Sequence, residues 1–241
     1  MRVFVFAGPG ALVLAIAAWV VVGDRPWGAG LAALLTLAAA YAFGLASLML
    51  FWSGITKVRE RETLLDAVAW RGDETVLDVG CGRGLMLVGA AKRLSSGRAI
   101  GIDIWQEADQ SANTAEAAWT NAQIEGVADR IDVQTADMRS LPFPDGSFEL
   151  IVSHWAVHNV ENESGRAAAL SEMVRVLRPE GTIILADIEH RDAYAARLAD
   201  LGFTDQQLMV KPMRDAILGA ISFGSFRPYA IRARRGSPRG R

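Results

Sequence analysis

The sequence predicts an α/β domain, doubly wound around a mostly parallel seven-stranded sheet and preceded by an apolar two-helix transmembrane hairpin. Three observations predict it. Short β-rich runs alternate with helical stretches from residue 53 onward. An apolar run into the alternating glycines Gly80, Gly82 and Gly84 opens that series, and charge is nearly missing from residues 1–52. Strands separated by helices of about ten or more residues need crossover connections, which build parallel sheets covered on both faces.

In the front, Arg2, Asp24 and Arg25 are the only charges, leaving Val3–Val22 and Gly28–Trp52 uncharged. About 20 apolar residues cross the ~30 Å hydrocarbon core as a helix. The spacing therefore predicts two transmembrane helices, about 3–22 and 28–52, joined by the turn-forming Gly23–Trp27. Trp19, Trp27, Phe51 and Trp52 lie near the helix ends, where aromatic rings favour the membrane interface. A cleaved signal peptide is the alternative for the first run, because Arg2 precedes an apolar core with small residues. Burial of both runs inside a soluble protein is another. Lys57, Arg59 and Arg61 follow the second run and Arg2 precedes the first. The positive-inside tendency then puts both termini and everything after residue 53 in the cytoplasm.

Behind the front, Ile55–Trp70 (within 53–72) reads as a connecting helix with Leu64, Leu65 and Val68 on its apolar side. The domain proper, 73–231, then alternates. Strands are expected at Thr75–Val79, Ala99–Asp103, Ile131–Thr135, Phe148–Ser153, Thr182–Ala186, Gln207–Val210 and Tyr229–Arg232. Helices are expected at Leu85–Leu94, Asp109–Glu125, Arg166–Leu177 and Asp192–Leu201. Lys211–Phe226, rich in Met, Ile and Phe, is a candidate rim for an apolar mouth. Residues 232–241 form a basic tail, read as a frayed end or as a contact with anionic lipid.

Composition narrows the function classes. Of 241 residues, 51 % are hydrophobic and 22 % charged, which excludes a disordered chain. The net charge of −2 disfavours nucleic-acid partners. One Cys and three His, with no HExxH, leave no zinc or other metal site to propose and no internal disulfide.

The most informative stretch is Val76–Gly84, a buried-type strand ending in Gly80-Cys81-Gly82-Arg83-Gly84. Glycines let the main chain turn sharply and approach a ligand closely. The G-x-G-x-x-G register of dinucleotide sites fails, because Leu85 follows Gly84, so a nicotinamide oxidoreductase is disfavoured. Asp78 lies inside the strand, and Asp103 ends the next one.

With these residues in this order, the region from Asp73 to Ala186 resembles the class I S-adenosylmethionine-dependent methyltransferases. The resemblance implies a Rossmann-like fold and S-adenosyl-L-methionine as cofactor. It implies that Asp78, Gly80, Cys81 and Gly82 hold the methionine part, and that Asp103 bonds both ribose hydroxyls. Such a role suits an acceptor-only carboxylate. By the same resemblance Ile104 and Trp105 pack on adenine, and Asp137 with Met138 meets the adenine ring. Leu141–Ser153 is similar to the family's approach to its fourth strand, and Leu177–Thr182 to its turn into the fifth. Other readings stay open: Asp78 as a core carboxylate orienting the loop, Gly84 as a helix-packing glycine, Trp105 as a core aromatic, and Cys81 as a small filler.

Methyl transfer needs mainly proximity and alignment, and a base only where the acceptor is a weak acid. Ser153-His154-Trp155-Ala156-Val157-His158 follows the fourth strand, where similar family members line the acceptor side. Ser153 and His154 are therefore added to the cofactor-binding set, and His154 and His158 are the candidate catalytic residues. If the segment is helical, the two imidazoles are four apart and share a face. The bland alternative is that both brace the loop. The family's N-P-P-Y type motif is absent, which argues against a nucleic-acid base or a glutamine as acceptor.

The expectation is a membrane-anchored methyltransferase acting on an apolar small molecule or lipid: a quinone or isoprenoid head group, an amino-lipid or a hydrophobic thiol. A non-catalytic cofactor-binding module tethered to the membrane is the alternative.

Overall fold

A computed structural model describes residues 27–51, 57–106, 113–209, 220 and 227–235. The expected helix at 3–22 and the apolar rim at 211–226, apart from Ala220, lie outside the described residues. The chain divides into two compact units, Met1–Glu60 and Arg61–Arg241.

The first unit contributes α1, Gly28–Phe51. Its span Gly28–Ser47 is long and apolar enough to cross a membrane, and it alone qualifies among the described residues. Leu31, Leu34, Leu37 and Phe43 are exposed, Leu37 to 69 %. Gly28, Ala32 and Ala39 are shielded, so the buried side of α1 is lined with small residues. The Thr36 hydroxyl donates to the Ala32 carbonyl at 2.8 Å, satisfying its polar group within the helix. Of the expected two-helix hairpin, one helix lies among the described residues.

The helix α2, Lys57–Leu65, leads into the second unit and is shorter than the sequence reading. After Leu65 the bonds change from the i−4 to the i−3 carbonyl (Ala67 to Leu64, Val68 to Leu65). The Trp70 indole N–H takes up the Leu65 carbonyl at 2.7 Å, so a side chain caps the helix where the sequence showed no breaker. Leu64 and Leu65 belong to the core.

The second unit holds β1 (Thr75–Val79), α3 (Leu85–Ala91), β2 (Arg98–Asp103), α4 (Ala115–Ile124), β3 (Ile131–Thr135), β4 (Phe148–His154), α5 (Glu163–Val176), β5 (Leu177–Asp187), α6 (Arg191–Asp200), β6 (Asp205–Met209) and β7 (Tyr229–Arg234). The sheet order is β3-β2-β1-β4-β5-β7-β6. Strands β1 to β5 pair in parallel, while β7 pairs antiparallel with both β5 and β6. Alternate side chains feed two cores, as strands covered on both faces require. Leu77, Val79, Ile183 and Leu185 join α5 and α6 residues, while Val76, Ile184 and Ala186 join Met86 and Leu87 of α3.

Polar caps set several starts. Thr114 Oγ1 accepts from Ala117 N before α4, and Asn162 Oδ1 accepts from Gly165 N before α5, three residues ahead of the sequence reading. Strand β5 starts at Leu177 rather than Thr182. Its pairing jumps from Phe148–Leu177 to Leu150–Thr182, and Glu180 sits at φ 65. The expected Pro-Glu-Gly turn is present as an excursion inside the strand. At the other end β7 runs on through Arg232–Arg234, into the stretch read as tail, because those residues pair with Gln207, Gln206 and Asp205.

Chain order reverses at β1, which has β2 on one side and β4 on the other. A crevice outside the strand carboxyl ends opens at such a point.

Candidate active site

At the end of β1, Gly80, Gly82 and Gly84 adopt φ values of 72°, 51° and 82°, a region costly to other residues. A Cβ on Gly80 would lie 2.3 Å from Ala156 Cβ and 3.5 Å from Met138 Cε. The loops after β3 and β4 therefore close directly onto the turn. Gly84 starts α3 without a side-chain cap, and Asp78 supplies the missing acceptor: its Oδ2 takes the Leu87 N–H at 2.8 Å. Asp78 is 1 % exposed. Burial pushes its carboxyl up to about 8, partly offset by the Leu87 bond and reinforced by the Asp103 charge. The Leu87 bond ties this buried acid to the start of α3, the contact that the loop-orienting reading calls for.

Cys81 Sγ turns into the core, 2.8 Å from where a Gly101 Cβ would stand. Burial raises its thiol well above the ordinary value, followed by the Asp78 and Asp103 charges. This suits a filler and not a nucleophile.

Asp103 closes β2 beside the turn. Its Oδ2 accepts the Gly82 N–H at 2.9 Å, and its Oδ1 accepts the Trp105 N–H at 2.7 Å and Asn113 Nδ2 at 3.3 Å. Asn113 is 3 % exposed and was not singled out from the sequence. Its Oδ1 is buried without a hydrogen-bond partner among the described residues. An orphaned acceptor next to an acceptor-only carboxylate fits a ligand that brings hydroxyl donors. Ile104 is 45 % exposed beside it, an apolar surface next to the acid. Trp105 sits at φ 59, and its indole N–H donates to Thr135 Oγ1 at 2.8 Å, which ties it to β3.

Two further expected residues have partners within the protein. Asp137 is engaged by its own loop: Arg139 Nε lies 3.0 Å from both carboxylate oxygens, and Arg139 N donates to Oδ1 at 2.8 Å. The Arg139 side-chain bonds hold the Asp137 carboxyl below its usual range. Ser153 is buried, and its hydroxyl donates to the Val79 carbonyl at 2.9 Å, pinning β4 to the end of β1.

The two imidazoles do not share a helix face. His154 is the last residue of β4, Trp155 follows at φ 55, and His158 belongs to a 3₁₀ turn, Val157–Asn159. A bulky residue in the left-handed region interrupts any helix there, at a cost of about 1–2 kcal/mol. The His154 and Trp155 rings stack at 5.0 Å and 12°. His158 instead turns to β5, with Nδ1 2.5 Å from Asp187 Oδ1. Asp187 ends a buried strand 29 residues later and escaped the sequence reading. Its visible signal was an acid closing an apolar run, as Asp103 does. No cluster able to hold a metal ion occurs among the described residues.

Comparison with known proteins agrees with this geometry. Residues 77–185 match a family described as a methyltransferase domain. Methyltransferase GfsG of Streptomyces halstedii is 34 % identical over 130 residues, covering 54 % of this chain and 43 % of that protein. A demethylmenaquinone methyltransferase of Symbiobacterium thermophilum is 34 % identical over 116 residues, covering 48 % and 43 %. The chain thus spans less than half the length of these two relatives. Geranyl diphosphate C-methyltransferase from Streptomyces coelicolor shares the fold at a TM-score of 0.59 and 20 % identity, over 74 % of this chain and 79 % of that one.

Proposed function

We propose, from the premise that residues 77–185 belong to the class I S-adenosylmethionine-dependent methyltransferase family, that the protein is a membrane-anchored enzyme methylating an apolar small molecule or lipid. The observation that carries the reading is the Gly80–Gly84 turn joined to Asp103 through the 2.9 Å Gly82 contact, at the point where strand order reverses.

The residues fit S-adenosyl-L-methionine, which supplies an electrophilic methyl group on a sulfonium. Asp103 and Asn113 Oδ1 take the ribose hydroxyls. The side-chain-free turn at Gly80 and Gly82 lets the main chain meet the methionine part. Ile104, Trp105 and Met138 form apolar walls for adenine. Ser153 and Asp78 act one step back, holding β4 and α3 in place. His154 and His158 follow β4, on the acceptor side, and their chain positions suit proton handling.

The acceptor class follows from α1. A helix that exposes Leu34, Leu37 and Phe43 and carries no charge belongs in lipid, and an enzyme tethered there meets bilayer-dissolved acceptors at the surface. Quinone and isoprenoid head groups, amino-lipids and hydrophobic thiols satisfy this. The names of two relatives, with a demethylmenaquinone and a geranyl diphosphate, are consistent with it. Lys57, Arg59 and Arg61 after α1 favour a cytoplasmic domain. Incubating the detergent-solubilised full chain with methyl-labelled donor and membrane extract tests the reading. Label should enter the lipid fraction. Label confined to protein or RNA refutes the acceptor class, and donor binding without turnover on any lipid fraction points to a tethered binding module.

A further inference from the structure

Asp103 has less free capacity than two ribose hydroxyls require. Its Oδ1 already accepts the Trp105 N–H at 2.7 Å and Asn113 Nδ2 at 3.3 Å, and its Oδ2 accepts the Gly82 N–H at 2.9 Å. An ionised carboxylate offers about four acceptor sites, two on each oxygen. These donors fill both sites of Oδ1 and leave a single site, on Oδ2. Gly82 and Trp105 present their N–H groups from positive φ, 51° and 59°, so the main chain itself is shaped around this acid.

Asn113 carries the acceptor that is missing. It precedes Thr114, whose hydroxyl caps α4 by accepting the Ala117 N–H at 3.2 Å, so the helix start fixes its main chain. Its Nδ2 donates to Asp103 Oδ1 and, at 3.4 Å, to the Gln106 carbonyl. Both partners only accept, so the amide cannot be turned over, and its other arm is the carbonyl oxygen. The residue is 3 % exposed, and that Oδ1 is buried with no hydrogen-bond partner among the described residues. A brace needs Nδ2 alone. A buried carbonyl without a donor is destabilising, and here it stands beside the carboxylate that meets the ligand.

Resting on the methyl-transfer reading above, we propose that the ribose diol is divided, one hydroxyl donating to Asp103 Oδ2 and the other to Asn113 Oδ1. Asn113 is thereby a specificity-determining residue for the cofactor. The family resemblance places both hydroxyls on the acid, whereas in this chain the acid's own loop leaves room for one. Two acceptors side by side select a ligand with two adjacent O–H donors. They turn away a ribose phosphate, whose ionised oxygens only accept and whose charge opposes that of Asp103. The two bonds differ in kind: the first is charge-assisted and the second neutral.

The test compares S-adenosylhomocysteine with its 2′-deoxy and 3′-deoxy analogues on the full chain in detergent. By calorimetry the wild type should bind one analogue about 10²-fold and the other about 10-fold more weakly than the parent, a charge-assisted bond being lost in one and a neutral bond in the other. In parallel, the side-chain carbonyl carbon of ¹³C-asparagine is followed by NMR, with Asn113 assigned through Asn113→Ala. Its resonance should move downfield with the parent and with the more weakened analogue. It should not move with the analogue that loses only about 10-fold, because that one lacks the hydroxyl Asn113 accepts. A carbonyl unmoved by the parent, a carbonyl moved alike by all three ligands, or equal losses for the two analogues overturns the proposal. Failure of the wild type to bind S-adenosylhomocysteine overturns the methyltransferase reading instead.

Discussion

Replacing Asp78 with Asn should remove a pH dependence of stability that the buried acid imposes. Its carboxyl is raised to about 8 in the folded chain, with burial the main cause. Unfolded, the same group titrates near ~3.9. A group raised on folding contributes stability that is fully present below the unfolded value and lost as pH rises through the folded one. From pH 7 to pH 9 the loss amounts to about 1.4 kcal/mol, close to one pKa unit's worth. For a domain of this size that is about 3–6 °C in Tm. Asn keeps a carbonyl for the Leu87 N–H that now meets Oδ2 at 2.8 Å, so α3 stays capped, and it has nothing to titrate. Thermal melts of both proteins across pH 7–9, in one detergent, give the comparison. Wild type should lose about 3–6 °C more than Asp78→Asn over this range. Equal slopes would refute the burial argument.

Asp103→Ala should weaken S-adenosylhomocysteine binding by about 10²-fold or more in calorimetry, since two charge-assisted bonds go at once. Asn113→Ala should weaken it by about 10-fold through the loss of one neutral acceptor. Gly80→Ala should lower Tm far more than Gly126→Ala. Both glycines have φ near +70°, which costs about 1–2 kcal/mol, but only the first meets a clash, 2.3 Å from Ala156, and nothing lies within 4 Å of the second. Similar Tm losses would show that the turn has room. Leu37→Arg, at the most exposed leucine among the described residues of α1, should release the full chain from membranes on carbonate washing, an insertion penalty of about 3 kcal/mol; full retention argues against a spanning α1.

The strand-and-glycine frame was legible because its signals are local. Val76, Leu77 and Val79 are apolar on both faces, and the glycines after them occupy positions where the chain turns through positive φ. Asp103 was legible for the same reason, as an acid ending a strand beside that turn. What escaped depends on contacts distant in sequence or on one unexpected backbone state. The Asp187–His158 pair spans 29 residues and exists only because β5 lies beside β4. Trp155 in the left-handed region separates two histidines whose spacing alone suggested a shared face. Asn113 lies ten residues after Asp103, and only folding brings its amide to that carboxylate. Arg139, two residues after Asp137, pairs with the carboxylate that the family resemblance assigned to adenine, a local contact whose short spacing is visible in the sequence.

One titration tests the central claim most directly: calorimetry of the detergent-solubilised full chain with S-adenosylhomocysteine, and separately with NADH. The expected result is saturable one-site heat from the first, greatly weakened in Asp103→Ala, and none from the second. Silence with S-adenosylhomocysteine, or binding of NADH in its place, would contradict the assignment of the Gly80–Asp103 crevice.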